Sequence, residues 1–253
     1  MKKQDLLVIP FLFIMGISFF SCNFGNKGNV SNYQNTPAVV SIDYTIGGGG
    51  VMLGTPYGYM AAPELSNLYD GDCIYLQQFS VDYDNQPSTQ YVTATDIVEI
   101  GVNKSQVEVA NDSVRIGDYT LLPTSVSGLS SVYYGGNFFI GATCSDNNPN
   151  YRLVYNLSDT LINNAIKVYL LAQSTSTAPS SSGVSSIHAF DMNYLPQTLW
   201  RDTTITISGT SQSLDLKYIS VNLNYISSIS DTGVPTYSQA SQNPFLIFLF
   251  KNQ

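Results

Sequence analysis

The sequence predicts an all-β fold, with an N-terminal OB-like barrel followed by a C-terminal immunoglobulin-like β-sandwich. From Pro37 onward apolar and polar residues alternate, as in Ile74–Val81 and Leu216–Val221, and this period of two is typical of half-buried strands. Turn residues (Gly, Pro, Asn, Asp and Ser) interrupt these segments every 8–15 residues or so, the spacing of sandwiches and barrels. No long segment carries the apolar stripe of an amphipathic helix.

Residues 37–124 are predicted to form the OB-like barrel. Gly47–Gly50 separates the first two strands, and consecutive glycines adopt positive φ without steric cost, which allows a tight reversal or a bulge. Strands that coil around glycine kinks suit a small five-stranded barrel. The predicted strands are 38–46, 51–54, 73–83, 91–102, 106–109 and 114–121.

Residues 125–253 are predicted to form the sandwich, after a Ser-rich linker near 123–131. Short strands at this density favour an immunoglobulin-like arrangement. The last strand, Phe245–Phe250, is apolar on both faces, so we expect it at the centre of a sheet. The best candidate for a short helix is 194–200. The predicted strands are 132–143, 151–155, 166–171, 187–192, 204–208, 214–225 and 245–250.

The N-terminus has the pattern of a bacterial lipoprotein signal. Lys2 and Lys3 precede an apolar run over 6–20 that ends just before Ser21 and Cys22, and this run is shorter than the roughly 20 residues of a spanning helix. Residues 1–21 are therefore predicted to be a signal peptide. Cys22 is predicted to carry lipid, whose acyl chains bury about 0.8 kcal/mol per CH₂, and the Gly/Asn-rich residues 22–36 are expected to be a flexible tether.

The composition excludes two classes of protein. The chain has 253 residues with 10 Lys and Arg against 18 Asp and Glu, and an acidic chain without a basic cluster lacks the footprint of nucleic-acid binding. A membrane bundle is excluded because the one long apolar run is the predicted signal peptide. The lipid is therefore the predicted link to the outer membrane of a cell envelope, and the sequence leaves the side of that membrane open.

Residues with the spacing of a catalytic or metal centre are not found. His188 is the single histidine, no nucleophile elbow accompanies it, and its place in a predicted strand favours a structural role. One histidine and two mature cysteines besides Cys22 cannot assemble the common zinc sites. The carboxylates near Asp70, Asp82 and Asp146 suit turns better than calcium or glycosidase sites. We therefore expect no enzymatic activity, no cofactor and no metal.

The tyrosine content is the feature most open to a functional interpretation. Tyr57, Tyr59 and Tyr69 belong to a tyrosine-rich first half, and tyrosine offers a rigid contact area with a polar tip. We expect these three residues to face a ligand. The alternative is that tyrosine is simply a good strand residue with its hydroxyl at the solvent edge.

Three short motifs accompany the lipoprotein start. They are Gly54-Thr55-Pro56-Tyr57-Gly58-Tyr59, Leu68-Tyr69-Asp70-Gly71-Asp72-Cys73-Ile74-Tyr75 and Ala189-Phe190-Asp191-Met192. Together with that start, these motifs resemble those of the NigD-like lipoproteins of Bacteroidetes. The resemblance implies an OB-type barrel followed by a β-sandwich and supplies no catalytic residues.

The expected function is a lipid-anchored envelope protein that binds a protein or a glycan. The alternative is a structural or bacteriocin-immunity-type envelope protein without a small ligand, and a hydrolase ranks third. A row of exposed Tyr and Asn on one face would favour glycans, whereas a contiguous apolar patch would favour a protein contact.

Two kinds of modification are open to prediction. Asp followed by Ser or Thr and an apolar residue or Thr resembles the O-glycosylation pattern of Bacteroidetes, and it occurs at Ser113, Thr160 and Thr203, where ordinary side-chain turns are the alternative. Cys73 and Cys144 fall in different predicted modules, so we expect both to be free, because a disulfide needs Cα atoms within about 7 Å.

Overall fold

The computed structural model describes residues 29–44, 50–88, 91–110, 121–127, 133–146, 149–159, 161, 164–174, 183–206 and 213–250. These residues form strands, turns and two short 3₁₀-helices, which confirms the all-β class. The strands are β1 (Val30–Asp43), β2 (Gly50–Thr55), β3 (Gly58–Ala61), β4 (Cys73–Asp82), β5 (Val92–Thr93), β6 (Thr95–Gly101), β7 (Asn103–Gln106), β8 (Glu108–Ala110), β9 (Leu121–Leu122), β10 (Thr124–Ser127), β11 (Tyr133–Tyr134), β12 (Asn137–Cys144), β13 (Asn150–Asn156), β14 (Ala165–Gln173), β15 (Val184–Asp191), β16 (Arg201–Thr206), β17 (Ser213–Ile229), β18 (Pro235–Gln239) and β19 (Phe245–Phe250).

The chain divides into two compact units. Among the described residues, the first unit contains 29–102, 133–135, 206 and 213–214, and the second contains 103–127, 136–205 and 215–250. These units differ from the predicted ranges 37–124 and 125–253, because β7 pairs with β15 and β8 pairs with β13, both strands of the second unit.

The first unit is built on a six-stranded sheet with the order β5-β3-β2-β1-β4-β6. β1 lies inside the sheet and pairs antiparallel with β2 and β4. Alternate residues of these strands point to one face and bury an apolar cluster there. That cluster contains Tyr33, Ala38, Val40, Leu53, Met60, Ala62, Ile74, Leu76, Phe79, Val81 and Ala94.

β1 begins earlier than the sequence predicts. The tether was expected to reach residue 36, but Val30–Gln34 already pair with β4. The physical reason is Tyr33, which is buried and stacks on Phe79 with 4.7 Å between ring centroids. Burial of this large ring stabilises the start of β1. The residues next to Tyr33 are polar and by themselves do not indicate a strand.

The second unit contains two sheets. One has the order β10-β12-β15-β7, and the other has the order β16-β17-β14-β13-β8 with β18 and β19 beside β17 and β9 beside β14. The two sheets contact each other through aromatic rings, since the centroids of Phe138 and Phe245 lie 5.4 Å apart. Three strand pairs are parallel, whereas immunoglobulin sandwiches are antiparallel. The predicted combination of an OB barrel and an immunoglobulin-like sandwich is not confirmed.

The position of the last strand corrects one expectation. β19 was predicted at the centre of a sheet, but within the described residues it pairs only with β17. Ile247 is fully buried and Leu246 is 55% exposed. The apolar run therefore covers the core with one face and meets solvent with the other, a distinction that an all-apolar sequence cannot show.

The predicted short helix at 194–200 becomes two separate 3₁₀-turns, Met192–Tyr194 and Gln197–Leu199. Asp191 caps the first turn, because its Oδ1 accepts the N–H of Asn193 at 3.0 Å. In the described parts of the chain, no helix has the length and apolarity needed to cross a membrane.

Candidate functional site

Two of the sequence motifs meet at one end of the first unit's sheet. The Asp-Gly-Asp turn before β4 bonds to the end of β1: the N–H of Val40 donates to the carbonyl of Asp72 at 2.8 Å, and the N–H of Gly71 donates to the carbonyl of Val40 at 2.9 Å. Further along β1, the N–H of Ile42 donates to Oδ1 of Asp70 at 3.1 Å. The strand end therefore fixes the position of the turn.

The turn itself is closed by its own side chains. The N–H of Asp72 donates to the carbonyl of Tyr69 at 3.0 Å, and the N–H of Tyr69 donates to Oδ2 of Asp72 at 2.7 Å. Gly71 has φ of +85°, which the third position of a type II turn requires and which glycine adopts without strain. This geometry presents Tyr69 to solvent with 77% of its surface exposed.

Tyr59 reaches the same place from β3. Its hydroxyl is hydrogen-bonded to the hydroxyl of Ser41 on β1. Burial raises the pKa of Tyr59 above its usual value, and the negative charges of Asp43 and Asp70 raise it further. The phenol therefore stays neutral and keeps its proton across the physiological pH range.

We use the name tyrosine–aspartate surface for Tyr44, Tyr59, Tyr69, Asp43 and Asp70, which belong to the end of β1, the start of β3 and the turn before β4. The exposed fractions of the three tyrosines are 83%, 41% and 77%. Tyr44 follows the last residue of β1. The charges of Asp43 and Asp70 both raise the pKa of Tyr59. Rings and carboxylates at one sheet end offer stacking faces and hydrogen-bond acceptors to a ligand.

Gly54 keeps this part of the sheet open for Tyr134. A Cβ at Gly54 would lie 2.9 Å from the hydroxyl oxygen of Tyr134 and 3.2 Å from its ring. Burial raises the pKa of Tyr134 to about 12, with a smaller contribution from Tyr59. The glycine of the first motif is thus needed for close packing beside Tyr59.

We predict that Gly54→Val will destabilise the first unit by about 1–3 kcal/mol, because the new side chain overlaps the Tyr134 ring. Gly101→Val is the matched control, since nothing lies within 4 Å of a Cβ there. Urea denaturation of both variants checks the prediction. Equal stability of the two variants would contradict the packing of Tyr134 on Gly54.

Tyr57, which was expected to face a ligand, lies with the core of the first unit. It is half-buried, and its ring centroid lies 4.5 Å from Tyr33 and 6.4 Å from Phe79. The turn from β2 to β3 directs it inward: Thr55 is buried, its hydroxyl donates to the carbonyl of Gly58 at 3.0 Å, and it accepts the N–H of Tyr57 at 3.1 Å.

The charges of the chain are divided unevenly. Residues 28–103 contain no Lys, Arg or His. The same segment contains eight carboxylates, whereas residues 104–253 combine seven Lys and Arg with nine Asp and Glu. The eight are Asp43, Glu64, Asp70, Asp72, Asp82, Asp84, Asp96 and Glu99. The tyrosine–aspartate surface therefore lies in a segment of uniform negative charge.

The other sequence-predicted acidic clusters stabilise turns or lie in the interior. Oδ1 of Asp82 accepts the backbone N–H groups of Asp84 and Asn85 at 3.0 and 3.3 Å, as the turn interpretation predicts. Asp146 is fully buried and accepts the hydroxyl of Ser174 at 2.6 Å. Among the residues that the structure describes, no group of three or more His, Cys, Asp and Glu could hold a metal ion.

His188 lies inside the second unit. It is 5% exposed, its Nε2 lies 2.8 Å from the hydroxyl oxygen of Ser186, and its ring packs on Tyr151 with 4.4 Å between centroids. Burial lowers the pKa of His188 to about 4. The imidazole is therefore neutral at physiological pH and packs as part of the core.

Cys73 and Cys144 are both buried and are not bonded to each other, which agrees with the prediction that they do not pair. Thr203 was expected in a turn, but it lies within β16 and is half-buried, so its modification stays a prediction. Cys22, Ser113 and Thr160 lie outside the described residues, as does the predicted signal peptide.

Together these features define a two-unit, mainly β protein with an acidic, tyrosine-bearing surface on its first unit. No protein-family model matches the sequence, and comparison with curated proteins finds no match.

Three solved structures are similar to this chain. A protein described as toxin-related from Parabacteroides distasonis is 11% identical, with a TM-score of 0.49 over 83% of this chain and 92% of that chain. A NigD-like immunity protein from Bacteroides caccae is 12% identical, with a TM-score of 0.46 over 85% and 93%. A protein of unknown function from Bacteroides vulgatus is 11% identical, with a TM-score of 0.46 over 83% and 96%.

Proposed function

We propose that this chain is a lipid-anchored protein of the outer membrane that binds a protein or a glycan through the tyrosine–aspartate surface and catalyses no reaction. The observation that carries the proposal is the exposure of Tyr44, Tyr59 and Tyr69 at one end of one sheet. Tyrosine is enriched in binding surfaces because it supplies contact area at a small cost in side-chain entropy.

The backbone supports such a surface with fixed acceptors. Asp70 is held by the N–H of Ile42, and Asp72 is held by the N–H of Tyr69. Side chains that are ordered before binding lose less entropy when a ligand arrives. The alternative is a structural or immunity-type envelope protein without a small ligand. In such a protein these tyrosines would not need to contact a ligand.

The proposal is tested with a double variant, Tyr44→Ala with Tyr69→Ala. Both side chains are largely exposed, so we expect the fold to change by less than about 0.5 kcal/mol. Binding to envelope extract and to a glycan array should fall at least tenfold. Tyr194→Ala is the matched control, because Tyr194 is also exposed, at 52%, but lies in the second unit. Unchanged binding of the double variant would contradict the proposal.

The lipid anchor has its own test. Cys22→Ala should accumulate as uncleaved precursor and should not incorporate a clickable fatty acid during growth, because the acyl chains have no attachment site. Cys73→Ala is the control, since it removes another cysteine and leaves Cys22 in place. If Cys22→Ala is labelled as strongly as the control, the assignment of the anchor is wrong.

A further inference from the structure

We propose that protonation of His188 opens one end of the second unit, so that its two sheets separate there and the buried thiol of Cys144 meets solvent. The inference concerns the interior of the second unit and does not depend on the proposed function. It is drawn from a cluster of polar side chains that we call the polar end: Cys144, Asp146, Tyr151, Ser174, Ser186 and His188.

The strand ends of both sheets meet at the polar end. β12 ends where β15 begins, with Cys144 paired to Val184. In the other sheet β13 begins where β14 ends, one residue before Tyr151. The rings of Tyr151 and His188 connect the two sheets here, with 4.4 Å between their centroids. Strand ends open at a lower free energy than the centre of a sheet, so this is where the sheets would separate first.

The inward-facing side chains of β15 become more polar toward this end. Phe190, His188 and Ser186 are alternate residues of the strand and therefore point to one face. Phe190 and His188 are buried, whereas Ser186 is half-buried. Nε2 of His188 lies 2.8 Å from the hydroxyl oxygen of Ser186. The contact between the sheets is thus held by apolar rings further in and by polar groups at the end.

The neighbouring strands place no carboxylate beside His188 in the described part of the chain. Its partner on β12 is Ile140, and its partner on β7 is Asn103. The next residue of β7, Lys104, is exposed and pairs with the residue after His188. On β13 the charged residue is Arg152, which forms its ion pair on the face opposite to Tyr151.

The remaining titratable groups of the polar end do not bond to the imidazole. Burial raises the pKa of Tyr151 and the nearby thiol of Cys144 raises it further, so the phenol is neutral. Asp146 is fully buried and accepts the hydroxyl of Ser174 at 2.6 Å. Burial alone lowers the pKa of His188 to about 4. A proton on this ring therefore creates a buried charge without a carboxylate partner, which is costly unless the ring reaches water.

The dependence on pH has a definite sign and size. The pKa of His188 is about 4 when the ring is buried and has its ordinary value of 6.5 in water, so the open state binds the proton more tightly. Opening therefore increases as the pH falls below 6.5 and levels off below 4. Between pH 7.5 and 4.5 the opening equilibrium should shift about 70-fold toward the open state.

The test follows the reactivity of two buried thiols in the full-length protein with 4,4′-dithiodipyridine, a thiol reagent that acts in acid. Peptide mass spectrometry measures the labelling of Cys144 and Cys73 separately, and each rate is divided by that of the urea-unfolded protein at the same pH. We expect the rate at Cys144 to rise at least tenfold between pH 7.5 and 4.5. Cys73 is buried in the first unit and should keep its rate.

His188→Gln removes the titration and keeps a polar side chain beside Ser186, so the rate at Cys144 should change less than about twofold over the same range. Asp146→Asn is the matched control, because it removes the carboxylate of the polar end and should retain the rise. Should His188→Gln not fold, the natural protein decides alone. His188 is the single histidine, and its one imidazole NMR resonance should titrate near pH 4.

The urea dependence of labelling separates local opening from unfolding of the whole unit. Local opening exposes little surface, so the rate at Cys144 should rise only weakly with urea. The inference is overturned if Cys144 stays protected at pH 4.5, if His188→Gln keeps the rise, or if the imidazole titrates near pH 6.5 in the folded protein. A urea dependence as steep as that of global unfolding would also overturn it, since the polar end would then open only with the rest of the unit.

Discussion

Phe79→Ala will lower the free energy of unfolding of the first unit by about 3–5 kcal/mol, the usual cost of truncating a buried phenylalanine. Phe79 is 1% exposed and stacks on Tyr33 with ring planes 12° apart, so the substitution leaves a cavity beneath β1. Because β1 also ends at the tyrosine–aspartate surface, binding should be lost together with stability.

The experiment follows hydrogen exchange of the β1 and β4 amides under native conditions, since these strands are paired along most of their length. Val98→Ala is the control in the same unit, because Val98 is 41% exposed and its truncation should cost less than about 0.5 kcal/mol. A loss below about 1 kcal/mol in Phe79→Ala would contradict the described core.

Acidification from pH 6.5 to 4 will cost the second unit about 3 kcal/mol through His188 alone. The pKa of this residue is about 4 in the folded protein, against an ordinary value of 6.5. Between these values the unfolded chain binds a proton that the folded chain does not, so stability rises with pH across this window and falls as the pH drops. The gap corresponds to about 3 kcal/mol.

His188→Phe separates this effect from the titration of carboxylates. Phenylalanine preserves an aromatic ring beside Tyr151 and cannot be protonated, so the variant should lose less stability than the natural protein between pH 6.5 and 4. Urea denaturation at half-unit pH steps measures the difference. Parallel stability curves for the two proteins would show that His188 is not buried as described.

Local patterns in the sequence were sufficient for the all-β class and for the turns, but not for the barrel-and-sandwich arrangement. Period-two alternation predicted the strands, and the Asp-Gly-Asp motif predicted the turn that carries Tyr69. The pairing of strands depends on distant residues instead, so the parallel pairing of β14 with β17 and the exposed face of β19 had no local signal. The early start of β1 was missed for the same reason. Tyr33 is buried by stacking on Phe79, which lies in another strand.

The candidate site was predictable in part. Tyr59 and Tyr69 were selected from the sequence, and both are exposed, whereas Tyr57 turns inward because of the hydrogen bonds of Thr55. Tyr44 and Asp43 were missed, since nothing local shows that the end of β1 meets the turn before β4. The sequence does contain one relevant signal, the absence of Lys, Arg and His from residues 28–103. This segment includes most of the first unit, which carries the tyrosine–aspartate surface.

Photo-cross-linking in living cells tests most directly whether the tyrosine–aspartate surface is the binding surface. p-Benzoylphenylalanine is introduced separately in place of Tyr44, Tyr69 and the control Tyr194, and cells are irradiated before the envelope proteins are separated. We expect discrete adducts with a partner protein from positions 44 and 69 and none from position 194. Adducts from 194 alone, or the same pattern from all three positions, would contradict it.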